Sequence, residues 1–263
     1  MCSVVNPSDR PWEGSETTDT DRGRRRWVGG VDVGPTTPGW TLNLLGGWQL
    51  FRGPDPVRVT RRQQRLVAAL ALLPGRPRVV LASTLWPDSR EAQAAGNLRA
   101  AIWRTEHEMP GLLCSACDPP RLSSQVSVDA ALLNERLAFI VDNDGGEAES
   151  LPLLQSAELL PGWYDEWVLW EQDRLRELRL CALDAVGRRL MIHREVGHAV
   201  DAAMIAIRLD PLSESAHRLL VEAHLALDNR AAAVRVYRQF RAALKRELDI
   251  EPSESFTELI RSP

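Results

Sequence analysis

A period of 34 residues in the C-terminal part of the chain is the feature that most restricts its fold. Ala199 and Ala233 are 34 positions apart, and so are Ala203 and Tyr237. The first unit has the tetratricopeptide pattern of small and large apolar residues, at Leu183, Val186, Gly187, Leu190, Ala199, Ala203, Ala206 and Pro211. The second unit repeats it less closely, at Leu220, Ala233, Tyr237 and Phe240. Because such helix pairs cannot cover their apolar faces alone, we expect neighbouring helices and a surface for protein contacts.

The segment before the repeats predicts one further long helix, which is opened by Pro161–Trp167 and reaches about His193. It is rich in tryptophan, with Trp167 and Trp170 three positions apart on one predicted face, and Trp163 just before them. Such a cluster belongs to a core more often than to an aromatic ligand pocket. The second interpretation stays open, and it predicts that a ligand changes the tryptophan fluorescence.

The middle of the chain begins with short strands. Apolar residues alternate with others between Trp40 and Val59, which predicts small antiparallel strands. Thr60 is a typical N-cap for a first helix, and the Pro-Gly sequence at Pro74 ends that helix.

Two further helices are predicted after Pro74. The second is short and lies near 80–85. The third is capped by Asp88 or Ser89 and ends near Glu108, before a Pro-Gly pair. Its apolar residues recur at helical spacing, which predicts a buried stripe of Leu98, Ala101, Ile102 and Thr105.

Two segments after the third helix predict a closing hairpin. They are Leu112–Ala116 and Arg121–Val128, joined by the turn Asp118-Pro119-Pro120. Strands, three helices and a hairpin are typical of a winged helix-turn-helix. The predicted fold is therefore mainly α with an α+β N-terminal part: a winged helix-turn-helix with a small β-sheet, followed by a tetratricopeptide-like helical domain.

The charge of the chain differs between its parts. The formal net charge is −4, but residues 39–133 carry +4 and residues 134–263 carry −7. This asymmetry favours contact of the middle part alone with a polyanion. Residues 1–38 have no apolar period and predict a disordered tail. We thus expect a tail over 1–38, a DNA-binding domain over 39–133 and a helical domain over 134–263.

The third helix of a winged helix-turn-helix lies in the major groove of DNA. Arginine presents paired donors to guanine, and asparagine pairs in the same way with adenine. The candidates for base contacts are the polar and aromatic residues outside the buried stripe, Asn97, Arg99, Trp103 and Arg104. Arginines elsewhere would hold phosphates and position the domain without reading sequence, namely Arg61, Arg62, Arg78 and Arg121.

Several other kinds of function are not indicated. Cys114 and Cys117 have CxxC spacing, but no second pair completes a zinc site, so a plain loop is favoured and neither metal nor cofactor is predicted. No phosphate-binding loop or catalytic constellation stands out, so we do not expect an enzyme. No apolar run reaches the roughly 18 residues of a membrane helix, and the N-terminus has no apolar region of a signal peptide. A cytoplasmic protein is expected.

The whole pattern resembles the Streptomyces antibiotic regulatory protein (SARP) family over about 40–260. The most specific segments are LNLLGGWQLFRG, NLRAAIWR, LLPGWYDEWVLWEQDRLRELRLCALDAVGRRL, AIRLDPLSESAHRLLVEAHLALDNRAAAVRVYRQF and ELDIEPS. The resemblance implies an OmpR-type winged helix joined to a bacterial transcriptional activation domain. It implies an activator of a secondary-metabolite (antibiotic) gene cluster that binds direct repeats near a promoter's −35 element. It also implies recruitment of RNA polymerase holoenzyme, head-to-tail self-association on DNA, and a place at the nucleoid.

The chain departs from the family pattern at two places. The third helix reads Trp103-Arg104-Thr105-Glu106 where the family often has Trp-Arg-Leu-Arg. A carboxylate there would repel phosphate or accept a hydrogen bond from cytosine. The predicted wing has two prolines and two cysteines where the family is usually rich in glycine and tyrosine. These departures support an alternative hypothesis, a protein-interaction adaptor with weakened DNA binding.

Overall fold

The computed structural model describes residues 39–114, 116–143, 148–155 and 157–261, and the predicted tail over 1–38 lies outside them. The described part begins with a small sheet. Its strands are β1 (Trp40–Asn43), β2 (Gln49–Arg52), β3 (Asp55–Pro56) and β4 (Ser127–Val128). Their order is β3-β2-β1-β4, with β4 parallel to β1 and the other pairs antiparallel. The prediction of a small sheet before the helices is confirmed.

The helix-turn-helix consists of α1 (Arg61–Leu72), α2 (Arg78–Leu85) and α3 (Glu91–Glu108). Thr60 caps α1 as its sequence position predicts. Its hydroxyl accepts a hydrogen bond from the Gln63 backbone N–H, and the Gln63 side chain accepts one from the Thr60 backbone N–H. This reciprocal pair satisfies two donors that the first turn of a helix otherwise leaves free.

The third helix begins slightly later than the sequence predicts. Ser89 donates its backbone N–H to the Trp86 carbonyl at 3.1 Å and so belongs to a turn, and Arg90 is the N-cap. The predicted stripe is buried throughout, at Leu98, Ala101, Ile102 and Thr105. It fixes which side of α3 faces away from the core.

The wing is shorter than the predicted hairpin. Leu113 and Leu122 form a single antiparallel bridge, and the Cys114 N–H donates to the Arg121 carbonyl at 3.0 Å. Pro119 and Pro120 have no N–H to extend the pairing, and β4 pairs with β1 instead. Cys114 and Cys117 are joined by a disulfide within this loop, a bond that the sequence analysis did not predict.

Helices form the remainder of the described chain. They are α4 (Asp129–Asp142), α5 (Leu151–Leu154), α6 (Glu166–Ile192), α7 (Val196–Leu209), α8 (Glu214–Ala226), α9 (Arg230–Leu248) and α10 (Glu254–Arg261), with a 3-10 turn at Ala148–Ser150. From α6 to α9, each helix packs on the next.

Among the described residues, none of the helices is both long and apolar enough to cross a membrane. The predicted division at 133/134 falls inside α4, and the domain limits stay a prediction.

Small residues bring the repeat helices close together. Ala199, Ala203 and Ala233 are fully buried. Gly187 on α6 is also buried, and a Cβ at this position would collide with the Leu219 side chain on α8. The repeat pattern of the sequence therefore corresponds to real helix contacts.

Backbone hydrogen bonds tie the sheet to the segment that precedes α6. The Gly46 N–H donates to the Glu158 carbonyl at 2.7 Å, and the Leu160 N–H donates to the Leu44 carbonyl at 2.8 Å. Leu45 and Leu159 form an antiparallel bridge between these bonds. The sheet is thus continued by a segment of the helical half.

Asp129 adds a side-chain link at the same place. Its carboxylate accepts hydrogen bonds from the backbone N–H groups of Leu44 at 2.8 Å and Leu45 at 3.0 Å. Burial raises the pKa of Asp129, and the backbone donors lower it in part.

One contiguous core of buried residues extends from Trp40 to Leu220, and a second cluster covers Val221 to Phe256.

Candidate nucleic-acid interface

The outward side of α3 carries three of the four predicted base-contacting residues. Arg99, Trp103 and Arg104 are exposed, and Trp103 keeps 66% of its surface accessible. Asn97 is half-buried, nearer the edge of the helix. Because the opposite stripe is packed in the core, α3 presents two arginine side chains and an indole to solvent. This arrangement offers paired donors for guanine edges and an apolar surface for a thymine methyl group.

Trp103 has a neighbour that the sequence analysis did not single out. The ring of His107 stacks on it with 5.5 Å between centroids and 5° between planes. The two residues are four positions apart, and this spacing places side chains side by side on a helix. His107 therefore covers one face of the indole and orients it, while the rest of the indole faces solvent.

Arg78 and Arg121 come together at the wing. Arg78 Nε lies 3.2 Å from Asp118 Oδ1, and Arg121 Nε lies 3.0 Å from Cys117 Sγ. Both arginines are exposed. A guanidinium has five N–H donors, so each retains donors for a phosphate. The structure thus places the two beside one turn, although they are distant in sequence.

Arg61, a predicted phosphate contact, lies against the segment that precedes α6, while about half of its side chain stays exposed. Its guanidinium stands 3.6 Å from the ring centroid of Trp163, and Nη2 lies 4.0 Å from Asp165 Oδ2. It therefore contacts the segment that leads into α6. Arg62, its neighbour, is exposed and has no ion pair within the described ranges. The sequence gives no signal for the Arg61 contact, because the partners are about a hundred positions apart.

Acidic side chains limit the positive charge at the end of α3. Glu106 is half-buried on this helix. Glu108 Oε2 accepts a hydrogen bond of 2.7 Å from Gln63 Nε2 on α1. Glu108 is therefore engaged within the fold, and Glu106 is the carboxylate closest in sequence to the predicted base-contacting residues.

Groups suited to a metal ion do not gather at this surface. Within the residues that the structure describes, no three His, Cys, Asp or Glu side chains are placed to share a metal. The sulfurs of Cys114 and Cys117 are bonded to each other. The chemistry available at this surface is hydrogen bonding, charge and aromatic contact.

These features define a winged helix-turn-helix protein with tetratricopeptide-like helices. Residues 152–262 match the model of the bacterial transcriptional activator domain family. A solved structure of Mycobacterium tuberculosis EmbR in complex with a low affinity phosphopeptide is similar, with 18% identity and a TM-score of 0.66. The match covers 84% of this chain and 64% of the EmbR chain, so it spans less than two thirds of that protein. No curated protein sequence matches.

The two findings support different parts of the resemblance. The family match shows that residues 152–262 are similar to bacterial transcriptional activator domains. The likeness to EmbR shows the fold, a small sheet and helix-turn-helix followed by a helical domain. The predicted fold is confirmed, and both findings agree with the resemblance to SARP-type transcriptional regulators.

Proposed function

We propose that the protein binds short direct repeats near the −35 element of a promoter and recruits RNA polymerase holoenzyme there. Through this it activates a secondary-metabolite (antibiotic) biosynthetic gene cluster, acting in the cytoplasm at the nucleoid. The observation that carries the proposal is the outward side of α3, with Arg99, Trp103 and Arg104 exposed together. Neighbouring protomers associate head to tail, in the order that direct repeats dictate.

DNA recognition is divided between α3 and the wing. We assign base contacts to Asn97, Arg99, Trp103 and Arg104 on α3. We assign phosphate contacts to Arg78, Arg121 and Arg62, whose guanidinium groups are exposed. Arg61 is the weakest of the predicted phosphate ligands because it contacts Trp163 and Asp165. Binding of this kind releases counterions, so affinity must fall steeply as salt rises.

Activation is assigned to the helical half. Residues 134–263 carry the negative charge of the chain, and their repeat helices offer a surface for protein contacts. The backbone bonds from Gly46 to Glu158 and from Leu160 to Leu44 hold this half to the sheet of the winged helix. Such a link supports a mechanism in which DNA binding places the helical half at a defined position beside the promoter.

A footprint tests the proposal. The promoters that flank the protein's own gene are probed with the full chain, with and without RNA polymerase holoenzyme. The expected result is protection of two short direct repeats beside a −35 element, and protection by polymerase that extends further when the protein is present. Arg104→Ala should weaken this protection, and Arg246→Ala, which removes an exposed arginine on α9, should leave it unchanged. No protection by the protein alone, together with an unchanged polymerase footprint on all of these promoters, would overturn the proposal.

A second candidate is an adaptor that contacts polymerase with little DNA binding of its own. Arg61 and Arg78, both predicted phosphate ligands, are engaged with acidic residues of the chain, and Glu106 adds a carboxylate to α3. These contacts favour the adaptor. Retention on immobilised polymerase, measured beside the footprint, separates the two candidates, because an adaptor is retained by polymerase but gives no footprint by itself.

A further inference from the structure

A cavity of about 710 Å³ lies between the helix-turn-helix and the start of α6. The end of α1, the following loop and α2 form one wall. Residues 164–171 form the other wall. This volume is in the range of small-molecule sites, which occur preferentially where two structural parts meet. None of the contacts proposed for DNA uses this cavity.

Aromatic side chains make up much of the α6 wall. Tyr164 keeps 83% of its surface accessible and Trp170 keeps 70%, and both line the cavity. The sequence favours a core position for the tryptophans, and this is correct for Trp163 and Trp167, which are buried, but wrong for Trp170. Two exposed rings beside a cavity provide stacking surfaces for a planar molecule.

The acids that line the cavity are largely compensated. Asp165 pairs with Arg65 at 2.6 Å, and Glu171 pairs with Arg174 at 2.7 Å. Glu166 is the first residue of α6, where the partial positive charge of the helix N-terminus favours a carboxylate. A ligand entering the cavity therefore meets little unbalanced negative charge.

The opposite wall of the cavity, formed by the helix-turn-helix, carries an arginine without a counter-charge in the described part of the chain. Arg76, in the loop after α1, lines the cavity and has no ion pair among the described residues. Arg65 Nε and Trp167 Nε1 are buried in residues of the cavity wall and have no hydrogen-bond acceptor there. These two atoms are inaccessible from the cavity, so among the wall residues that the structure describes, Arg76 is the free cation that a ligand there can reach.

We propose that this cavity binds an aromatic anion, a planar ring system that bears a carboxylate, sulfonate or similar oxyanion. The rings stack on Trp170 and Tyr164, and the anionic group pairs with Arg76. Aromatic walls alone would accept any planar apolar molecule, and the unpaired arginine gives the preference for an anion.

The position of the cavity gives its ligand a route to α3. Val80, Ser83 and Thr84 of α2 line it, and α2 packs on α3. A ligand that contacts both α2 and α6 stabilises the relative position of these two helices, and through α2 it stabilises the position of α3. This consequence for DNA binding rests on the proposed function, whereas the binding site itself does not.

Two fluorescent probes test the site in the full chain. 1-Anilinonaphthalene-8-sulfonate is an aromatic anion, and N-phenyl-1-naphthylamine has the same rings without the sulfonate. Trp170→Ala is expected to raise the dissociation constants of both probes about tenfold. Arg76→Gln is expected to raise that of the sulfonate about tenfold and to leave that of the uncharged probe unchanged.

Matched variants control for binding elsewhere on the surface. Phe139→Ala removes an exposed ring on α4, and Arg246→Gln removes an exposed guanidinium on α9, both outside the cavity. Neither is expected to change the binding of either probe. Unchanged sulfonate binding by Trp170→Ala overturns the site, and equal effects of Arg76→Gln on both probes overturn its preference for anions. Because the assay contains no DNA, its result is independent of the footprint.

Discussion

Arg65 and Asp165 form an ion pair with 2.6 Å between Nη2 and Oδ1, and it joins α1 to the residue that precedes α6. The two side chains are only 26% and 18% exposed, so water screens the pair less than it screens a surface pair. Arg61 lies on Trp163 and near Asp165 as well. Two arginines of the helix-turn-helix therefore contact the same short segment of the helical half.

Removal of this ion pair is expected to destabilise the protein. Asp165→Asn should lower the free energy of unfolding by about 1–2 kcal/mol, because it leaves a sheltered guanidinium without its counter-charge. Urea denaturation measures the change. The exposed pair of Arg246 and Glu247 is the control, and Glu247→Gln should change stability by less than about 0.5 kcal/mol. Equal small effects of the two variants would show that the Asp165 pair contributes no more than a surface pair.

Arg104→Ala is expected to weaken binding to the operator by about 1–3 kcal/mol and to relax its specificity, because the variant loses the proposed base contact. A titration of the footprinted promoter fragment by gel shift gives the affinity. Arg121→Ala should instead weaken binding to all sequences alike and reduce the dependence on salt. Loss of affinity without loss of specificity in Arg104→Ala would contradict the assignment of Arg104 to a base.

Glu106→Arg is expected to tighten promoter binding. The change replaces a carboxylate by a cation on the helix that is proposed to enter the major groove, and it removes repulsion of phosphate. The same gel shift, at two salt concentrations, should show a higher affinity and a steeper salt dependence than the wild type. Unchanged affinity would contradict the hypothesis that Glu106 weakens DNA binding.

Gly187→Ala and Gly197→Ala are expected to have opposite effects on stability. A Cβ at Gly187 collides with the buried Leu219 side chain, and repacking should cost about 1–3 kcal/mol. Nothing lies within 4 Å of a Cβ at Gly197 on α7, so alanine there should stabilise the helix by about 0.5–1 kcal/mol. Thermal unfolding of both variants gives the comparison. A stabilised Gly187→Ala protein would mean that the contact between α6 and α8 is looser than described.

His217 is expected to make stability depend on pH. Burial lowers its pKa, and the bond of 2.8 Å between Nδ1–H and the Ser213 carbonyl offsets this in part. The unfolded chain therefore takes up a proton near pH 6.5, before the folded protein does. The stabilising contribution of neutral His217 should be fully present above about pH 7. Below about pH 6.5 the free energy of unfolding should fall, by up to about 1.4 kcal/mol per pH unit.

His217→Gln measures this contribution by difference. Its free energy of unfolding should depend less on pH between 7.5 and 5.5 than that of the wild type, by urea denaturation. His193→Gln, at an exposed position, should keep the wild-type dependence. Identical curves for His217→Gln and the wild type would contradict the assignment.

Local patterns in the sequence predict most of the fold. Thr60 caps α1, the stripe from Leu98 to Thr105 is buried, and the repeat alanines lie between helices. Each of these features depends on residues within a few turns of one helix, so spacing is sufficient to predict it. The exposed side of α3 follows from the same periodicity, which is why Arg99, Trp103 and Arg104 emerge together.

Contacts between distant positions are not predictable in this way. β4 pairs with β1 although Ser127 and Thr41 are far apart in sequence, and the same is true of Arg61 and Trp163. The tertiary fold alone brings these residues together. CxxC spacing is compatible with a metal site, free thiols or a disulfide, so the Cys114–Cys117 bond could not be deduced from it.

The shared core has a consequence for chimaeric proteins. Leu44, Leu137 and Leu160 are fully or almost fully buried in one cluster, although they come from the sheet, α4 and the segment before α6. A winged helix cut from this chain would expose apolar surface that the helical half now covers, and a foreign partner would have to reproduce that surface. Exchange of the proposed DNA specificity between proteins of this architecture is therefore better attempted by replacing the outward residues of α3 than by transplanting the whole N-terminal half.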